Sequence, residues 1–171
     1  MKIITTTVFT FDELDEQGKE KARQWFREGT YDFDWYDSIY EDAKQVGLII
    51  TAFEPDRYCE ANFAESAEET AHLIVDNHGD MCETYKTSDE YLKSRDIIIN
   101  EAPRDDDGEF ESVLRLDDDL DELDSEYLKS LCEDYRIMLR QEYEYMSSDE
   151  CVDDNILANE YTFTGTGERF G

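Results

Sequence analysis

Between Leu120 and Met146 apolar residues recur at the spacing of one helix face while acids crowd the positions between them. That pattern constrains the chain more than any other. Leu120, Leu123, Tyr127, Leu131, Tyr135 and Met138 follow one another every three or four residues, which is what a single buried stripe requires. Run without a break to Met146, the helix would span ~40 Å at 1.5 Å per residue. Its opposite face holds Asp121, Glu122, Asp124, Glu133, Asp134 and Glu144, and Asp117, Asp118 and Asp119 come just before it. Such a segment cannot be a detachable acidic tail, because its charge lies on the same helix that must bury the stripe.

The whole chain shares this character. Its 171 residues carry 46 Asp and Glu against 16 Lys and Arg, a net charge of -30. Residues 1–30 are nearly balanced, with 6 acids and 5 bases, whereas residues 31–100 hold 17 against 5 and residues 101–160 hold 22 against 5. Phosphate recognition needs a basic footprint, so direct binding of DNA or RNA is not expected, and anionic membrane surfaces are disfavoured for the same reason. With 11 Tyr, 9 Phe, 2 Trp and only 2 Pro, the composition is that of a folded chain rather than a disordered one. There is no run of eighteen apolar residues and no leader-like start, so a soluble cytoplasmic protein is expected. Cys59, Cys82, Cys132 and Cys151 form no C-x-x-C pair and read as reduced thiols.

Local signals predict one α+β domain over 1–171. Lys2–Phe11 reads as a strand and Asp15–Glu28 as a helix stopped by Gly29. A second helix is expected over Asp32–Val46, capped by Gly47 and bearing Asp34, Asp37, Glu41 and Asp42 on its polar face. Leu48–Glu54 and Arg57–Ala64, split by Pro55-Asp56, read as a hairpin. Ser66-Ala-Glu-Glu69 is a capping box opening a helix toward Gly79, and Thr87-Ser-Asp-Glu90 repeats the signal. Pro103–Asp119 is expected to be a loop with a short strand at Glu111–Leu116, and the long helix to begin near Leu120. A short helix over Asp149–Leu157 and a strand over Glu160–Thr164 complete a small antiparallel sheet packed against several helices.

Candidate chemistry is sparse. Asp105, Asp107 and Gly108 occupy positions 3, 5 and 6 of an EF-hand loop, but positions 1 and 12 would be Pro103 and Leu114, so the carboxylates that define the site are missing. Registering on Asp117, Asp119 and Asp121 places Glu122 at the glycine position and Leu128 at position 12, and fails equally. His72, His78, Cys82 and Cys59 are zinc-type ligands without zinc-type spacing. No G-x-S-x-G, H-E-x-x-H, P-loop or dinucleotide fingerprint occurs. Neither an enzyme nor a cofactor nor a metal is expected.

A charge this large opposes compaction and asks for a purpose. Spread over the ~8,700 Å² surface expected for this mass it gives about 290 Å² per net charge, against about 110 Å² per charge on a B-DNA cylinder of ~10 Å radius. Imitation of DNA therefore requires clustering, which the long helix (Asp117, Asp118, Asp119, Asp121, Glu122, Asp124, Glu133, Asp134) and the second helix (Asp34, Asp37, Glu41, Asp42) offer. Such a surface would occupy the Lys/Arg groove of a nucleic-acid-binding protein. Two other readings use the same charge: halophilic adaptation, and an acidic adaptor for a basic protein partner. The oligomeric state is left open.

The stretches VFTFDELDEQGKEKARQWFREG, DFDWYDSIYEDAKQVGL and AEETAHLIVDNHGDMCETYKT resemble a family of small, strongly acidic bacteriophage and prophage proteins. The resemblance implies a phage setting, the host bacterial cytoplasm and a compact α+β fold, and it names no catalytic residue. Small acidic phage proteins that look like DNA often inhibit host defence, as anti-restriction and anti-CRISPR proteins do, which would make the partner a defence nuclease or effector complex.

Halophilic adaptation makes folding itself salt-dependent, because repulsion must be screened throughout. The inhibitor reading expects a cooperative thermal melt at ~0.1 M salt, where the Debye length is about 10 Å. A melt that sharpens only at molar salt would favour the halophile.

Overall fold

The computed structural model describes residues 5, 7–30 and 34–171. It is α+β: β1 (Phe9–Thr10), α1 (Glu16–Thr30), α2 (Asp37–Gln45), β2 (Leu48–Glu54), β3 (Tyr58–Phe63), α3 (Ala67–Asn77), α4 (Glu83–Glu101), α5 (Val113–Met146), α6 (Asp149–Ala158) and β4 (Thr162–Phe163). The strands form two separate antiparallel pairs, β1 with β4 and β2 with β3, rather than the single sheet expected. Two compact units result. One comprises residues 1–35 with 141–171 and the other residues 36–140, the division falling inside α5.

In the unit made of the two chain ends, Phe9 pairs with Phe163 and Thr10 with Thr162. Glu13 accepts hydrogen bonds from both the Thr10 amide and its hydroxyl, at 2.8 and 3.0 Å, and so fixes the turn that leads from β1 toward α1. Phe11, Leu14, Ala22, Val152, Ile156 and Phe163 make the buried cluster, with Trp25, Phe26 and Tyr161 packed against it. Charge joins α1 to α6: Arg23 donates from Nε to Asp153 Oδ1 at 2.7 Å and from a terminal nitrogen to Oδ2 at 2.8 Å, the paired geometry in which guanidinium and carboxylate bind best. Arg27 adds bonds to the Ser147 carbonyl and to Asp149.

The continuous unit is built on the β2–β3 hairpin. Its register runs from Leu48 opposite Phe63 to Glu54 opposite Tyr58, with an irregularity between Ile50 and Ala52. Gly47, at φ +80, turns the chain from α2 into β2, and its carbonyl accepts from the Ala64 amide and the Thr70 hydroxyl. Ser66 caps α3 by accepting from Glu69 N at 3.1 Å, as its sequence signal predicts. Along α5, Leu116, Tyr127, Leu131, Tyr135 and Leu139 are buried, and Tyr127 lies between Phe63 and Tyr91, its ring stacked on each at 17°.

Other boundaries differ from expectation. Residues 2–4 and 6 of the first predicted strand, and 32–33 of the second predicted helix, lie outside the described residues; α2 begins at Asp37, and Asp34 precedes it in non-helical chain. Gly29 sits inside the last turn of α1 rather than ending it. The Thr87 signal does not open a helix, because α4 already begins at Glu83. Glu111–Leu116 is not a strand: Val113–Leu116 is the first turn of α5, which starts seven residues before Leu120.

Gly167 has φ +83, and a Cβ there would stand 2.1 Å from the Gly18 carbonyl oxygen. Gly167→Ala should cost at least ~2 kcal/mol, since strain and overlap coincide. Gly29→Ala, which meets nothing within 4 Å in the same unit, should stabilise by up to ~1 kcal/mol through helix propensity. Urea unfolding of both variants checks the contrast.

Candidate functional site

The first turn of α5 contains no acid. Asp117, Asp118, Asp119, Asp121, Glu122, Asp124 and Glu126 then follow with no Lys or Arg among them. All but Asp124 are exposed. The segment from Asp117 to Glu126 rises ~14 Å, so its six exposed carboxylates come about every 2.5 Å of axis, approaching the 1.7 Å per charge of duplex DNA. On the helix surface they form two rows at i,i+4 spacing, Asp117 with Asp121 and Asp118 with Glu122 and Glu126. These acids begin a turn too late to gain much from the helix N-terminus, whose field fades within the first turn. Each like-charged i,i+4 pair costs about 0.2–0.5 kcal/mol, so helix stability does not account for the sequence of this segment.

Further along α5 the charge becomes mixed. Arg136 grips Glu133 through two bonds of 2.8 and 2.6 Å and holds that carboxyl below its usual range. Asp124 and Asp134 turn to the protein instead. Asp124 accepts from the Tyr91 hydroxyl at 2.6 Å. Asp134 accepts from the Thr87 hydroxyl at 2.7 Å, yet burial raises its pKa above the ordinary carboxylate value. The stripe spacing could have revealed both, since position 124 lies four after Leu120 and position 134 three after Leu131.

Asp42 on α2 is half-buried and likewise turned to the protein. Its Oδ2 accepts from the Tyr135 hydroxyl at 2.8 Å, and its Oδ1 lies 3.4 Å from His78 Nε2, a long contact in which the ring nitrogen finds no well-aligned acceptor. The other ring nitrogen is 2.8 Å from the Thr84 hydroxyl. The His78 ring, against the opposing effect of burial and with help from Tyr135, holds the Asp42 carboxyl below its ordinary 3.8. Of the remaining acids in the second predicted set, Asp37 and Glu41 are exposed one turn apart on α2, while exposed Asp34 belongs to the other unit. The candidate surface thus reduces to the exposed rows of α5, with Asp37 and Glu41 as a smaller pair in the same unit.

The Asp-rich loop before α5 satisfies itself: Asp105 Oδ1 accepts from the amides of Asp107 and Glu109 at 3.0 and 2.9 Å, and Arg104 lies over the Phe110 ring at 4.0 Å. Among the described residues no cluster of His, Cys, Asp and Glu could hold a metal ion, and no helix is long and apolar enough to cross a membrane.

Comparison with protein-family models, curated proteins and solved structures finds no match.

A folded pKa below the unfolded one means that Asp42 adds stability above pH 3.8 and that this stability is lost as pH falls through the lower folded value. Asp42→Ala, which strands the buried Tyr135 hydroxyl, should lower stability by about 1–3 kcal/mol at neutral pH. The gap should narrow as pH falls below 3.8 toward the lower folded value. Urea titrations at neutral pH and below pH 3.8 test this.

Proposed function

We propose that the protein inhibits a DNA-binding enzyme of bacterial defence, a restriction complex or CRISPR effector, by filling its Lys/Arg groove with the acidic rows of α5. The observation that carries this reading is the linear charge density of Asp117–Glu126, which approaches that of duplex DNA at a cost in helix stability. Uniform coating by excess acid, as solubility in salt would require, does not need charges concentrated on one helix. An adaptor for a basic tail needs charge but not this density. The phage setting comes from the resemblance of the sequence to acidic phage proteins. Carboxylates that replace phosphates would bind competitively with DNA, associate quickly and release as salt rises.

Immobilised protein should capture a nucleic-acid-binding enzyme from bacterial lysate, and duplex DNA or added salt should elute it. The variant carrying Asp117→Lys, Asp118→Lys and Glu126→Lys separates binding from folding. It converts the pairs with Asp121 and Glu122 from repulsive to attractive, so it should be more stable by about 1–2 kcal/mol while losing the captured enzyme. Capture that persists in this variant, or that DNA does not displace, would rule out mimicry.

A further inference from the structure

Two of the four thiols meet. Cys59, opposite Phe53 in the hairpin, and Cys132 on α5 are 73 positions apart in sequence, yet both line one groove of about 340 Å³ with Arg57, Lys129 and Arg136. Both are half-buried and unbridged. The two thiols are unequal: their mutual interaction and the nearby Ala61 amide favour the thiolate at Cys132, while the same interaction holds Cys59 protonated. Glu60 opposes ionisation of both. The charges of the groove are mixed: Glu60 and Glu133 line it too, Arg136 is paired with Glu133 and Arg57 with Glu54, and Lys129 is the remaining cation on its wall, of the kind that favours a thiolate nearby. By contrast Cys82 is exposed and Cys151 is buried.

We propose that Cys132 and Cys59 are a peroxide-responsive redox pair, Cys132 being the attacking thiolate and Cys59 the resolving thiol. The Cys132 sulfur attacks one oxygen of a hydroperoxide and the O–O bond breaks. The sulfur, oxidised by two electrons, becomes a sulfenic acid, and hydroxide (or alkoxide) leaves. The Cys59 sulfur then attacks the sulfenic sulfur, and the S–O bond breaks. Its proton leaves with the departing hydroxide as water, and a disulfide remains between β3 and α5. A small dithiol reverses the step by exchange. This assignment is independent of the proposed inhibitory role.

The folded protein treated with hydrogen peroxide, then denatured and alkylated, should yield the Cys59 and Cys132 peptides linked, with Cys82 and Cys151 alkylated. Dithiothreitol should restore four alkylated cysteines. Cys59→Ser should accumulate a sulfenic acid at Cys132 that dimedone captures, and Cys132→Ser should form neither the link nor a dimedone adduct at Cys59. Oxidation of Cys82 before any link appears would overturn the proposal. Dimedone labelling of Cys59 in Cys132→Ser as fast as that of Cys132 in Cys59→Ser would overturn the assigned roles.

Discussion

A tyrosine hydroxyl taken out of water must find a partner, and the larger unit is organised around that requirement. Tyr127 and Tyr135 lie on the buried stripe of α5, and Tyr91 faces them from α4; each ring supplies apolar area that an acid-rich chain otherwise lacks. Their hydroxyls end on Ser88, Asp42 and Asp124 respectively. Packing and polar satisfaction are thus one arrangement. The tyrosines make the core, and the acids that receive them link α2 and α4 to α5.

This explains why the candidate surface was only partly legible. The stripe of α5, the Ser66 cap, the Gly47 turn and the hairpin around Pro55 follow from spacing and turn chemistry, and the structure has all of them. The start of α5 does not, because Val113 and Leu114 are 56% and 78% exposed and leave no buried period to read. A capping signal is equally ambiguous: Thr87 has the right neighbours, but its hydroxyl serves Asp134 from within a helix. Strand partners could not be assigned when two of the strands have two residues each. For the acids, composition shows how many there are but not which way each points. Only tertiary structure brings a donor to Asp42, whereas Asp124 and Asp134 stand at stripe spacing, four after Leu120 and three after Leu131, although their charge groups them with their exposed neighbours.

What remains after those acids are set aside is more concentrated than the net charge alone suggests. The exposed rows of α5 repel one another within a few turns, and no Lys or Arg interrupts them. The acids on α1 and α6, by contrast, are partly matched by Arg23 and Arg27. The molecule therefore carries two kinds of acidic surface, one stabilised internally by guanidinium groups and one left for solvent or a partner.

One unit is continuous in sequence, and the other joins residues 1–35 to residues 141–171. During synthesis the continuous unit has all its segments once Arg140 has emerged from the ribosome, whereas β1 must wait until β4 has emerged as well. Domains fold as units in the order their chain appears. The hairpin, its tyrosine core and the charged rows of α5 accordingly take shape while β1 is still without its partner strand.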